Sequence, residues 1–210
     1  DMFRIEGPVR LAGQVDVRGS KNASLPIMAA GILAGGKTTL KGVPNLSDIA
    51  VFGQLLEELG CKVTKADGGD LCIDSTVIDN PHGDYEIVRK MRAGICILGP
   101  LLARCGRAEV SMPGGCAIGD RPVDIHIRGL RELGAEIHLA NGYIVADAPH
   151  GLVGKNIFLG GPFGSTVLGT ANVMMAATLA KGKTVIESAA CEPEVSDLAN
   201  CLNKMGAKIT

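Results

Sequence analysis

The segment Leu133-Gly134-Ala135-Glu136-Ile137 decides the fold, because the chain carries it three times. Leu59-Gly60-Cys61-Lys62-Val63 lies 74 residues upstream and Met205-Gly206-Ala207-Lys208-Ile209 lies 72 residues downstream. An amphipathic stretch with an acid near its start precedes each copy. Ser47-Asp48 leads into Ile49, Phe52, Leu55, Leu56 and Leu59; Asp124 leads into Ile127, Leu130 and Leu133; Ser196-Asp197 leads into Leu198, Cys201, Leu202 and Met205. Those spacings put the apolar residues on one helix face. The glycine that follows occupies the position where a left-handed residue ends a helix, and an apolar strand begins at once.

Working outward, a second and more apolar helix lies upstream in each copy. Ile32-Leu33-Ala34-Gly35-Gly36-Lys37-Thr38-Thr39-Leu40 matches Thr178-Leu179-Ala180-Lys181-Gly182-Lys183-Thr184-Val185-Ile186, and Leu101 to Val110 fits the same pattern. The chain therefore reads as three helix–strand–loop–helix–strand–strand units, about 20–80, 81–150 and 151–210. The Ala/Leu/Met-rich helices at 23–34, 91–104 and 168–180 are expected to pack together as a buried inner layer. Strand pairs are expected at 62–64 with 71–74 and at 136–139 with 143–147. The third unit reaches only the first strand of its pair at Thr210, so the chain is expected to be a piece of a longer protein. Ahead of the first unit, Phe3, Ile5, Val9, Leu11, Val15 and Val17 recur at even spacings in residues 1–19, which predicts extended structure. Ser20 is the expected N-cap of the first inner helix, with Pro26 disturbing its early turns.

Composition bounds the function. The 210 residues carry a net charge of -1 and are 46% apolar, as in a globular protein without strong attraction to nucleic acid or anionic membrane. Aromatic residues are only 3%, with no Trp, which disfavours a stacking surface for single strands. The seven cysteines include no C-x-x-C pair, and the four histidines are scattered. This argues against a disulfide framework and a zinc site, and with the absence of a signal-like N-terminus it predicts a reducing, cytoplasmic setting without a membrane span. No cofactor is expected.

One stretch concentrates chemistry: Pro113-Gly114-Gly115-Cys116-Ala117-Ile118-Gly119-Asp120-Arg121-Pro122-Val123-Asp124. The paired glycines allow a tight loop. Arg121 is a fixed cation suited to carboxylate or phosphate. Cys116 alone is equally compatible with a small buried hydrophobe. Lys21 at the expected start of the first inner helix marks a second anion site, since free N–H groups and the helix dipole both favour negative charge there. Gly35-Gly36-Lys37-Thr38-Thr39 has a phosphate-loop flavour, but the repeat assigns it to a turn between helix and strand.

Together, Gly19-Ser20-Lys21-Asn22-Ala23, Met91-Arg92-Ala93, Pro113 to Gly119, Arg121-Pro122-Val123-Asp124-Ile125-His126 and Glu192-Pro193-Glu194-Val195 resemble the signature of the UDP-N-acetylglucosamine enolpyruvyl transferase family. The resemblance runs along all 210 residues and includes the threefold repeat. It implies an inside-out α/β fold, with three two-helix and small-sheet units packed around buried inner helices. It also implies that this chain is the N-terminal half of an enzyme of two such domains, and that residues 1–19 are strands of the other, C-terminal domain. The enzyme acting on shikimate 3-phosphate shares that fold but lacks the cysteine loop.

The implied reaction moves the enolpyruvyl group of phosphoenolpyruvate onto the sugar 3-hydroxyl of UDP-N-acetylglucosamine, by addition and then loss of phosphate. It is the first committed step of peptidoglycan synthesis. The resemblance makes Cys116 the catalytic residue, as proton donor to the methylene carbon, as covalent nucleophile, or both. It assigns Lys21, Asn22 and Arg121 to phosphoenolpyruvate. It assigns Arg92, Arg121, Pro122, Val123, Asp124, Ile125, His126, Ser165, Thr166, Val167 and Leu168 to the sugar nucleotide. His126, two residues into its helix, could instead be a general base or a hydrogen-bonded structural residue. Members of the family often carry Lys near Ser165 and some carry Trp near Arg92, where this chain has Cys96. The remaining six cysteines are expected to be packing residues. The partner implied is the C-terminal half of the same enzyme. Two alternatives stay open on the sequence: a shikimate-type enolpyruvyl transferase and a non-catalytic sugar-nucleotide domain.

Overall fold

A computed structural model of the chain describes residues 2–66, 69–113, 123–162 and 164–210. Cys116, Arg121 and Pro122 lie outside the described residues. The elements run in the expected order. Helix α1 (Lys21–Ala30) continues as a 3₁₀ turn (Gly31–Ala34) into β1 (Lys37–Leu40), α2 (Ser47–Glu58), β2 (Lys62–Lys65) and β3 (Leu71–Asp74). The second unit holds β4 (His82–Gly83), α3 (Tyr85–Val88), a 3₁₀ segment (Arg92–Ile97) leading into α4 (Leu98–Cys105), β5 (Arg107–Ser111), α5 (Asp124–Glu132), β6 (Glu136–Ala140) and β7 (Tyr143–Asp147). The third holds β8 (Asn156–Phe158), α6 (Val167–Ala177), β9 (Val185–Glu187) and α7 (Pro193–Lys204).

The sheets follow the repeat. β3 lies between β1 and β2, antiparallel to both; β7 lies between β5 and β6 in the same way. The second and third units add a strand parallel to the one after the inner helix, β4 on β5 and β8 on β9. The inner helices are buried between the units. Met28, Ala29, Ala30 and Ile32, then Ile95, Leu98, Leu101 and Leu102, then Val173, Met175 and Ala176 are essentially without exposure and belong to one core. The outer helices each turn one apolar stripe onto it, with Phe52, Leu55 and Leu56 in α2, Ile127 and Leu130 in α5, and Leu198 and Leu202 in α7. Gly60, Gly134 and Gly206, which close these helices, all have φ near +100°, between 99° and 110°, so a side chain at any of them would be strained.

Ser20 caps α1 as expected, accepting from the Ala23 N–H at 3.3 Å. Pro26 does not disturb the start: the helix is regular from Lys21, and its last turn tightens to 3₁₀ before Gly35 at φ 62°. One expectation differs from what is observed. Residues 207–210 form no strand, because nothing pairs with them; the Ile209 amide donates to the Asn203 side chain instead. Residues 2–19 form no ladder, and their alternating apolar side chains are exposed, Phe3 at 95% and Leu11 at 91%. A strand exists only through a partner, and the partner expected for these residues is the other domain. No helix among the described residues is long and apolar enough to cross a membrane.

Candidate active site

The described residues among those singled out by the sequence lie at or near the starts of helices. Lys21 is the first residue of α1, and its Nζ lies 2.8 Å from Oδ2 of Asp48 in the first turn of α2. Both side chains are partly exposed, so the pair orients the lysine more than it stabilises the fold. The chain reaches Lys21 through Gly19, which runs so close to the Gly42 carbonyl that a Cβ would stand 2.5 Å from its oxygen. Arg18, Gly19, Gly42 and Asn45 help to line an open depression of about 400 Å³ there. Asn22 follows on the exposed side of the same turn.

A second group assembles around α5. Asp124 is exposed in its first turn, Ile125 is half-buried and His126 is fully buried. Arg92 opens the 3₁₀ segment of the second inner helix, and its charge acts on His126. Gly161 passes so near Ile125 that a Cβ would lie 2.7 Å from the isoleucine Cδ1. Arg128 of α5 donates to the carbonyls of Phe158, at 3.3 Å, and Gly160, at 2.6 Å. The segment before α6 is thereby clamped to α5. Gly161 and Gly164 exchange backbone hydrogen bonds of 2.9 and 3.0 Å, and Thr166 caps α6 by accepting from the Gly169 N–H at 3.2 Å. Ser165 is exposed ahead of that cap, and Val167 and Leu168 are half-buried in the first turn. The structure thus brings His126 together with Arg92, and sets α5 against the Phe158–Gly161 segment and against α6, whose first turn holds Val167 and Leu168. Lys21 and Asn22 belong to α1, which packs on the same inner helices.

Burial holds His126 well below the ordinary histidine range, at about 4; the Arg92 charge pushes the same way and Asp124 opposes both. The ring is neutral at physiological pH. Its Nδ1 lies 3.0 Å from Nδ2 of Asn172. The sign of the resulting pH dependence is definite. Unfolded chains bind a proton at His126 as pH falls through about 6.5, whereas the folded chain does not until about 4. Stability from this residue is therefore full above pH 6.5 and is lost as pH falls to 4, by about 3 kcal/mol. Urea unfolding at pH 7.5 and 4.5 checks this: the loss should be smaller in His126→Asn by about that amount.

The thiols divide by environment. Burial pushes Cys96 up to about 12 and Cys61 up to about 11, and raises Cys105 and Cys201. Such thiols are poor nucleophiles. Cys191 departs from the expected packing role, because it is exposed. No group of three metal-ligating side chains occurs among the described residues.

Two neighbours of the candidate residues escape sequence reasoning. Asp48 as the partner of Lys21 is hidden by a separation of 27 residues, although it is, like Asp124, an acid in the first turn of an outer helix. Asn172 carries a fainter signal, a polar amide in the middle of the mostly apolar Val167–Ala177 helix.

Comparison with known proteins identifies the family and the fold. Residues 5–210 match the family described as EPSP synthase (3-phosphoshikimate 1-carboxyvinyltransferase). The chain belongs to that family. Among curated relatives, UDP-N-acetylglucosamine 1-carboxyvinyltransferase of Gluconacetobacter diazotrophicus is 53% identical over the whole of this chain, which covers 50% of that protein. The enzyme of the same name from Coxiella burnetii is 50% identical over the whole chain, covering 48% of it. This family member thus spans about half the length of the curated relatives it matches. The fold is that of the enolpyruvyl transferase NikO from Streptomyces tendae, with TM-score 0.82 over 96% of this chain and 46% of that one at 20% identity. EPSP synthase from Acinetobacter baumannii gives 0.66 over 88% of this chain and 42% of that one at 19% identity. The inside-out arrangement that the resemblance implies is the fold of these enzymes.

Proposed function

We propose that this chain is the N-terminal half of a UDP-N-acetylglucosamine 1-carboxyvinyltransferase. The observation that carries the reading is 50–53% identity along the whole chain to relatives of that name. Residues 1–19 then supply strands to the other domain, and residues 20–210 form the N-terminal one. A partner sheet there accounts for the alternating apolar side chains left exposed from Phe3 to Val17.

The residues divide the work. Lys21 and Asn22, with Arg121, bind phosphoenolpyruvate, the lysine as a point charge and the arginine through its two-pronged guanidinium. Asp48 keeps Lys21 extended until the anion arrives. Cys116 supplies the proton to the methylene carbon as the sugar hydroxyl adds to the adjacent carbon; loss of phosphate and of a proton then regenerates the enolpyruvyl double bond. Arg92, Arg121, Pro122, Val123, Asp124, Ile125 and His126 hold the sugar nucleotide with Ser165, Thr166, Val167 and Leu168, whose segment the Arg128 clamp keeps against α5. The base for the hydroxyl and a further phosphate-binding cation come from the C-terminal half. The setting is the cytoplasm, at the committed step towards peptidoglycan and so towards cell shape and division.

The shikimate-type alternative is disfavoured by the Cys116 loop and the Arg121 to Asp124 run. Calorimetric titration tests the assignment. The full-length protein should bind UDP-N-acetylglucosamine in preference to shikimate 3-phosphate, and the 210-residue chain should retain weaker binding of the same ligand. Preference for shikimate 3-phosphate would overturn it.

A further inference from the structure

Asn172 sits fully buried where three parts of the molecule meet. Its Oδ1 accepts the backbone N–H of Gly99 in α4 at 2.9 Å, and its Nδ2 donates to the Ile95 carbonyl at 2.9 Å. These two backbone partners fix which end of the amide is oxygen, because an N–H can only donate and a carbonyl can only accept. The second Nδ2 hydrogen is left for His126 Nδ1, 3.0 Å away. That nitrogen must accept, so the ring proton is on Nε2. An imidazolium would set N–H against N–H, and the Nδ1–H tautomer would do the same. Nε2, equally buried, has no hydrogen-bond partner among the described residues.

We propose that Asn172 is a positioning residue that locks His126 as the Nε2–H tautomer, so that its ring offers an uncharged, directed donor to an oxygen of the bound sugar nucleotide. This deepens the functional reading above and rests on it for the ligand. The charged groups whose fields reach the ring are Arg92 and Asp124, both assigned to the same substrate. A buried, unpaired N–H is costly, and the cost is recovered when an acceptor reaches it. The lock also removes His126 from the candidate bases: its one lone pair is already engaged, so it can give a hydrogen bond but cannot take a proton without breaking the brace.

The experiment uses the full-length protein and separates the two parts of the claim. Nitrogen NMR of ring-labelled histidine, without ligand, should show His126 with a protonated Nε2 and a bare Nδ1 between pH 6 and 8. An Nδ1–H or imidazolium pattern would overturn the lock whatever the enzyme's substrate. His126→Asn keeps an acceptor near the Nδ1 position and deletes the Nε2 donor, whereas His126→Gln keeps a donor near Nε2. His126→Asn should weaken UDP-N-acetylglucosamine about tenfold, as loss of one well-placed hydrogen bond does, and His126→Gln should recover most of that. Wild-type affinity in His126→Asn, or equal losses in both variants, would reduce the histidine to a structural residue. If UDP-N-acetylglucosamine fails to bind wild-type protein, the substrate reading falls while the NMR result still decides the lock.

Discussion

Replacing Cys116 by serine in the full-length protein is expected to reduce enolpyruvyl transfer by about 10²–10⁴-fold, the range over which a positioned proton donor acts. A hydroxyl releases its proton far less readily than a thiol, and it is a poor nucleophile at neutral pH without an adjacent base. A phosphonate epoxide analogue of phosphoenolpyruvate should add once to the wild-type protein by intact mass and not at all to Cys116→Ser. The control is specific to this chain. Burial holds Cys61, Cys96, Cys105 and Cys201 above the ordinary thiol range, so they should stay unmodified. Cys191 is exposed and is the competitor to remove. An adduct that persists in Cys116→Ser but disappears in Cys191→Ser would contradict the assignment.

The second large effect is on stability. A Cβ at Gly99 would overlap the backbone carbonyl oxygen of Asn172 and lie 3.0 Å from its side-chain Oδ1. Both obstacles belong to the facing helix, and neither is the loose end of a flexible side chain. Gly99→Ala must push α4 away from α6 and stretch the Gly99–Asn172 hydrogen bond, which in turn loosens His126. Overpacking a tight helix contact and leaving a buried amide short of a partner should together cost about 3–5 kcal/mol. For a chain of this size that is a fall in Tm on the order of 10 °C. Gly36→Ala provides the comparison, since nothing lies within 4 Å of its added methyl and its φ is not in the left-handed range; it should change stability by less than about 0.5 kcal/mol. Equal Tm values for the two variants would show that the α4–α6 contact is less tight than described.

How far the sequence carries is seen in these same residues. The repeat of Leu133-Gly134 exposes the order of helices and strands, because a glycine at a left-handed helix end and an apolar helix stripe are local demands repeated in each unit. The hairpins at 62–65 with 71–74 and 136–140 with 143–147 are legible for the same reason. Residues 207–210 are not legible as coil, since their pattern is that of a strand and only the presence of a partner decides the outcome. In the candidate site, its residue type at a helix start announces Lys21, whereas Arg92 and Asp124 are reached only through the resemblance. The contacts that orient them do not announce themselves: Lys21 with Asp48 spans two helices of the first unit, and His126 with Asn172 and Arg128 with Gly160 join the second unit to the third, each across more than 25 residues of chain. His126 shows the difference most clearly. By sequence it could be a base, and only the amide that faces it turns it into a donor.

The central claim is the identity of the acceptor, and phosphate release from phosphoenolpyruvate by the full-length protein tests it most directly. Release should require UDP-N-acetylglucosamine, should stay at background with shikimate 3-phosphate, and should be lost in the 210-residue chain alone even where the nucleotide still binds. Release driven by shikimate 3-phosphate, or turnover by the isolated chain at the rate of the whole enzyme, would contradict it.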